Sequence, residues 1–276
     1  MTAFAPAFAR WLATPGPPFV SPAIALDDVF VTPPLWLARA DRSASPVDAV
    51  DLALKTERLL ISGPQRIGRT TLAKRIVTAS RARGETPVYA RGDFLHARLD
   101  PTAVEARLAA LVRDQYGDAR RSPDVLVLDD VDRARLGGSH AHRAIGRSDV
   151  LAAVARRMAR VVAFTTEHDL ATRVNARGAA PYAAASIGTY DAGRRAALAA
   201  RYVEAVAPVE TWRAFVGPAR RILDDLFGDG RLPAFPYYVL VALAELYTGD
   251  PAHIDGTHYG PYYETIVHEA ARRARR

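Results

Sequence analysis

Leu59-Leu-Ile-Ser-Gly-Pro-Gln-Arg-Ile-Gly-Arg-Thr-Thr71 is the stretch that decides the fold. Leu59 to Ser62 reads as a strand. It leads into a glycine-bearing loop and then a helix with Leu72, Ile76 and Val77 on its buried side. The spacing matches the phosphate loop G-x-x-x-x-G-K-[ST] at every fixed position but one. Glycine at 63 and 68 lets backbone amides close around an anion, and the helix after the loop adds unpaired donors and the positive end of its dipole. Gly63, Pro64, Gln65, Arg66, Ile67, Gly68, Arg69, Thr70 and Thr71 are therefore the candidate phosphate-binding positions, with the Thr70 hydroxyl as a magnesium ligand. Arg69 stands where the motif has lysine. Arginine keeps the charge, but its planar fork suits a fixed two-pronged contact, so binding is expected to outlast catalysis. Taken alone, Gly63 and Gly68 also fit an ordinary strand-to-helix turn.

A second stretch decides between those readings. Val125-Leu-Val-Leu-Asp-Asp-Val-Asp132 is a continuous apolar run that ends in carboxylates, as expected of a strand buried on both faces. Ligands of open α/β sheets bind at the carboxyl ends of strands, which puts Asp129 and Asp130 beside the loop. Asp129 is the candidate metal ligand, and Asp130 is the catalytic candidate that orients an attacking water, with Arg69 as its catalytic partner. Asp132 reads as the cap of the next turn. Thr165 and Thr166 end a later strand, Val161 to Phe164, where a hydroxyl can sense an outer phosphate; a plain strand-end hydroxyl fits equally. Arg194, Arg195 and Arg201 are further cations within the sequence reach of a phosphate, although solvated arginines are common in so arginine-rich a chain. His140, His142 and His168 read as solvated loop residues, and His253, His258 and His268 are too irregularly spaced for a role.

Around these motifs the sequence predicts an α/β fold, a P-loop NTPase parallel sheet flanked by helices and followed by an all-helical C-terminal region. Residues 1–46 read as an extended, proline-rich lead-in, with Val29 to Leu37 packing along the next domain. The core spans 47–190, with a short helix over Val47 to Lys55 and strands at Pro87 to Ala90 and Ala184 to Ile187. Asp100-Pro101 opens a helix whose buried stripe is Val104, Leu108, Leu111 and Val112. Another helix covers Ser148 to Met158. From 191 to 276 the pattern is helical: Ala192 to Val206, Glu210 to Phe227, Phe235 to Tyr247 and Tyr262 to Ala274.

Composition narrows the function classes. Of 276 residues, 49% are hydrophobic, enough for a sizeable core. The 37 basic and 30 acidic residues give a net charge of +7, which admits nucleic acid as a partner. Only Lys55 and Lys74 are lysines, however, and an arginine- and alanine-rich chain follows from a GC-rich genome without selection for binding. The absence of cysteine excludes disulfides and thiolate chemistry and fits the reducing cytoplasm. The first twenty residues lack the basic start and unbroken apolar stretch of a signal peptide, and the longest apolar runs, such as Tyr237 to Leu243, are too short to span a bilayer.

With loop, acidic strand and sensor strand in order, the chain resembles the STAND class of P-loop NTPases, AAA+-related ATPases of signal transduction. Ile187-Gly-Thr-Tyr-Asp-Ala-Gly-Arg-Arg195, Leu232-Pro-Ala-Phe-Pro236 and Tyr259-Gly-Pro-Tyr-Tyr263 are similar to a bacterial branch associated with phosphoesterase or TIR effectors. The resemblance implies an ATP- and Mg2+-dependent switch in signalling or antiviral defence, an effector domain or partner protein, and a nucleotide-dependent homo-oligomer. It also implies that the proline turn, through Pro233, helps close the helical region over the nucleotide base. Arg69 in place of the loop lysine departs from the class and implies weakened hydrolysis. The chain lacks the long repeat or sensor region and the effector domain usual in the class, as expected of a fragment, a partner-dependent switch or a remnant. Two other readings stand beside it: a nucleic-acid-handling AAA+ ATPase of the loader type, motivated by the charge and by Arg272, Arg273, Arg275 and Arg276, and a non-hydrolysing nucleotide-binding module.

Overall fold

The computed structural model describes residues 3–15, 24–37, 45–94, 101–118, 121–133, 151–166, 170–175, 181–206, 209–228 and 232–248. The expected helix Tyr262 to Ala274, the Tyr259 to Tyr263 motif, the terminal arginines and every histidine of the chain lie outside these residues, as do Asp100 and residues 148–150.

The described residues form a seven-stranded sheet in the order β2-β1-β7-β3-β6-β5-β4. Here β1 is Pro34–Leu37, β2 Val47–Asp48, β3 Arg58–Ser62, β4 Pro87–Arg91, β5 Val125–Asp129, β6 Arg160–Thr165 and β7 Ala183–Ile187. The strands from β7 to β4 run parallel, while β1 lies antiparallel between β7 and β2. Helices flank the parallel strands, chiefly α4 (Arg69–Ala82) and α5 (Pro101–Tyr116), with α1 (Pro6–Ala13), α2 (Leu26–Val29) and α3 (Ala49–Lys55) preceding them in the chain. The α/β architecture expected from the sequence is the one observed.

Continuous apolar runs explain the central strands. Leu59, Leu60 and Ile61 in β3 and Leu126, Val127 and Leu128 in β5 are all buried, as parallel strands covered on both faces require. Leu72, Ile76 and Val77 of α4 are fully buried as predicted, and so are Val104 and Val112 of α5. Each such side chain contributes about 1.5–3 kcal/mol relative to exposure. At the sheet edge, β4 is closed by a side chain. Gln115 accepts from Tyr89 N at 2.9 Å and donates to Tyr89 O at 2.6 Å, taking the place of a neighbouring strand.

Two compact units emerge: Met1–Leu12, Thr32–Gln65 and Arg69–Gly188 form the sheet unit, and Ala13–Val31, Arg66–Gly68 and Thr189–Arg276 form the other. The second holds α7 (Ala192–Val206), α8 (Val209–Phe227) and α9 (Pro236–Thr248); α6 (Leu170–Asn175) belongs to the first. In the second unit Leu198, Tyr202, Val203, Leu223, Phe227, Val239 and Leu243 build a core of their own, joined by Ile24 and Val29.

The stretch predicted to be an extended lead-in departs most from expectation. Pro6 opens α1 at the first helical position, where no amide donor is needed. Pro34 begins β1, a position that tolerates proline, and β1 joins the sheet. The helix predicted over Val47 to Lys55 starts at Ala49, because Val47 pairs with Leu35 and the Asp48 carboxylate caps α3 by accepting from Asp51 N at 2.8 Å.

Candidate functional site

The register of the parallel strands assembles the site. Ser62 lies opposite Thr165, and Leu128 opposite Ala163, so β3, β6 and β5 end at one level with β6 between the two motif strands. Gly63 N donates to Thr165 O at 3.0 Å, fixing the start of the loop to the end of β6. The loop then turns through left-handed residues, Arg66 at φ 69° and Gly68 at φ 96°, before α4 begins at Arg69. Left-handed residues of this kind turn successive amides to one side, the concavity that takes an anion. Pro64 and Gln65 are exposed, Ile67 is buried, and Thr71 is half-buried.

The side chain that connects the motif strands is Thr70, in the first turn of α4. Its hydroxyl donates to Asp129 Oδ2 at 2.6 Å. Asp129 is 1% exposed and accepts two more bonds, from Tyr89 Oη to Oδ2 at 3.1 Å and from Asp130 N to Oδ1 at 2.9 Å. Burial raises its carboxyl pKa, the neighbouring Asp130 charge adds to the rise, and the bonds from Thr70 and Tyr89 with the charge of Arg69 oppose it. Burial and the Asp129 charge likewise push the Tyr89 hydroxyl pKa up, keeping it a donor. A hydroxyl and a carboxylate in contact are hard oxygen donors, and they fit magnesium.

Asp130 and Arg69 are brought together, but in a form the sequence did not disclose. Asp130 leaves β5 in a left-handed conformation, φ 53°, which aspartate tolerates better than most residues. Its carboxylate faces three guanidinium groups: Arg69 Nη2 at 3.0 Å, Arg133 Nε at 3.4 Å and Arg91 Nη2 at 3.9 Å. Arg69 is itself buried and also reaches Asp132 Oδ1 at 3.4 Å. The turn that Asp132 was expected to cap lies beyond Arg133, outside the described residues. The same oxygen accepts from Thr166 N at 3.0 Å, tying the Val131–Arg133 turn to the end of β6. Thr165 is fully buried there.

Beside Thr70 and Asp129 lies a cavity of about 610 Å³, lined among others by Phe8, Trp11, Tyr89, Arg91, Asp93 and Asp114. Helix α1 supplies one wall. Trp11 stacks on Phe8 at 5.5 Å, and Lys74 of α4 holds the helix by donating to Trp11 O at 2.7 Å with its ammonium 4.3 Å from the indole centroid. Burial lowers the Lys74 pKa to about 8. Phe4, Phe8, Trp11 and Leu12 recur at helical spacing, a signal in the sequence that the surrounding prolines masked.

Pro233 is exposed, its carbonyl accepting from Phe235 N at 2.7 Å, and Pro236 Cγ lies 3.6 Å from the position a Cβ on Gly68 would take. The Arg66 guanidinium lies 5.1 Å from the Tyr237 ring centroid. The arginines that sequence placed within reach of a phosphate are engaged elsewhere: Arg195, buried, pairs with Asp224 at 2.6 Å; Arg194 pairs with Asp191; and Arg201 donates to Asp27 O at 3.0 Å. Among the described residues no cluster of three His, Asp or Glu is placed to hold a metal, and no helix is long and apolar enough to cross a membrane.

No family model and no curated protein matches the sequence. Among solved structures, the chain is similar to AMPPCP-bound DnaA from Aquifex aeolicus, with 17% identity over 63% of this chain and 59% of that one, at a TM-score of 0.38. A RuvB variant of Thermotoga maritima matches with 14% identity over 75% and 70% of the two chains at a TM-score of 0.35. Rif2 of Saccharomyces cerevisiae matches with 11% identity over 73% and 80% at 0.44. The chain thus spans less than two thirds of the Aquifex DnaA chain.

Proposed function

We propose that this chain is a nucleotide-binding switch of the P-loop class, taking ATP with Mg2+ and hydrolysing it slowly or not at all. The observation that carries the reading is the 2.6 Å bond from Thr70 Oγ1 to Asp129 Oδ2, which joins the loop helix to the acidic strand. The loop amides around Gly68 and the N-terminus of α4 receive the phosphates. Thr70 and Asp129 hold the magnesium, directly or through water. Bound there, the ion would draw charge from the outer phosphate oxygens. The buried Asp129 carboxylate accepts from Thr70, Tyr89 and the Asp130 amide, and these three bonds fix its orientation.

Slow turnover follows from the arginines. In this structure Arg69 is paired with Asp130 and Asp132, and Asp130 also lies within ion-pair distance of Arg91 and Arg133, so a water has to compete with three guanidinium groups for that carboxylate. Ground-state contact with a phosphate survives that arrangement better than stabilisation of a transition state. A switch that holds ATP for long periods suits signalling more than continuous work. On the STAND resemblance, the nucleotide state is read by an effector or partner protein in a bacterial cytoplasmic signalling or defence system, with assembly of the chain depending on nucleotide.

Equilibrium binding of a fluorescent ATP analogue tests this. Wild type is expected to bind more tightly in Mg2+ than in EDTA, and Asp129→Ala to remove the difference between the two. Equal weakening by Asp129→Ala in both buffers would assign Asp129 a structural role and defeat the reading.

A further inference from the structure

We propose that Asp132 is a positioning residue that holds Arg69 away from the outer phosphate and returns it when the triphosphate binds, so that Asp132 sets how well the site tells ATP from ADP. The inference rests on the nucleotide-binding reading and concerns regulation of that same site.

The geometry points to Asp132 because one oxygen serves two partners. Asp132 Oδ1 lies 3.4 Å from Arg69 Nη1 and accepts from Thr166 N at 3.0 Å. The residue before Thr166 accepts from Gly63 N at 3.0 Å. The loop is therefore tied to the end of β6 at both ends: at its start through Gly63 and Thr165, and at its finish through Arg69, Asp132 and Thr166. Asp130, by contrast, keeps Arg91 and Arg133 at 3.9 and 3.4 Å if Arg69 departs. The ion pair of Asp132 is with Arg69.

Arg69 occupies the lysine position of the motif, from which the side chain reaches the outer phosphates. A terminal phosphate is an anion that competes directly with Asp132 for one guanidinium, and a diphosphate competes less. Opening the pair costs part of the triphosphate's binding energy. Removing the charge at 132 should return that part while leaving an acceptor for Thr166 N.

Calorimetric titration of the full chain with Mg·ATP and Mg·ADP tests this on wild type, Asp132→Asn, Asp132→Glu and the pair of Asp132→Asn with Arg69→Gln. The ratio of ADP to ATP dissociation constants is expected to rise about fivefold in Asp132→Asn, the size of a modest ion pair. Asp132→Glu, which restores the charge, should return the ratio toward wild type. In the Arg69→Gln background the substitution at 132 should leave the ratio unchanged, because the coupled partner is gone. A flat or falling ratio in folded Asp132→Asn, an equal rise without Arg69, or a failure of Asp132→Asn to fold overturns the inference. Where wild type binds Mg·ATP and only these arms fail, the inference alone falls; a wild type that binds no Mg·ATP defeats the functional reading and this with it.

Discussion

Asp129→Asn separates a residue kept for its ligand from one kept for the fold. In the structure the carboxylate accepts from Thr70 Oγ1 and Tyr89 Oη on Oδ2 and from Asp130 N on Oδ1. An asparagine whose carbonyl oxygen replaces Oδ2 keeps the first two bonds and loses the third, a cost of about 1 kcal/mol, up to about 3 kcal/mol if the charge strengthened it. Against this stands the relief of a charge at a site 1% exposed, where burial holds the carboxyl pKa above its usual value. Every tenfold increase in proton affinity caused by that burial withholds about 1.4 kcal/mol from the folded state at neutral pH. The two effects oppose each other, so relief of the buried charge offsets part of the lost bond and Asp129→Asn should cost less than about 2 kcal/mol at pH 7. The sign of the pH dependence is fixed as well. The folded carboxyl binds its proton more tightly than the unfolded one, so wild type loses stability relative to Asp129→Asn as pH rises from the ordinary carboxylate range through the raised folded value. Urea unfolding followed by circular dichroism at pH 4 to 8 measures both. Over the same series the magnesium-dependent thermal shift by ATP should vanish. A loss above about 2 kcal/mol with the magnesium-dependent shift intact would refute the reasoning, since Asp129 would then serve its hydrogen bonds and nothing else.

Gly68→Val should leave a folded protein whose ATP affinity falls at least about tenfold; φ at 96° strains any branched residue, whereas the new Cβ would meet Pro236 Cγ at an ordinary 3.6 Å. Unchanged calorimetric affinity with a native spectrum would remove the phosphate-loop assignment. Arg69→Lys should raise steady-state phosphate release more than it changes ATP affinity, because a flexible point charge can track a transferring phosphate; flat turnover would place the catalytic defect elsewhere. Lys74 has a folded pKa lowered by burial to about 8 from 10.5, so the unfolded chain binds more protons between those values. Wild type should therefore gain stability relative to Lys74→Met as pH rises from 8 to 10, and a difference that stays level in urea titrations would show that its ammonium carries no burial penalty.

The parts legible in the sequence were those written in local pattern. The apolar runs of β3 and β5 and the stripe of α4 are each contiguous or periodic, and the two glycines of the loop mark the strand-to-helix turn between β3 and α4. What escaped depends on tertiary contact. Arg91 and Arg133 belong to different elements and meet only at Asp130. Asp132 read as a local cap because its distant partners, Arg69 and Thr166 N, lie 63 and 34 residues away in the chain. Helix α1 was hidden by the prolines around it, although Pro6 starts it and Trp11 anchors it on Lys74.

The most direct test of nucleotide binding is calorimetric titration of the nucleotide-free full chain with ATP, once in Mg2+ and once in EDTA. The Thr70–Asp129 pair predicts a one-to-one isotherm in Mg2+ that weakens at least about tenfold in EDTA, as removal of an ion held by a carboxylate and a hydroxyl requires. An absence of heat and of any competition by ADP at millimolar ATP, with the protein folded, would contradict it.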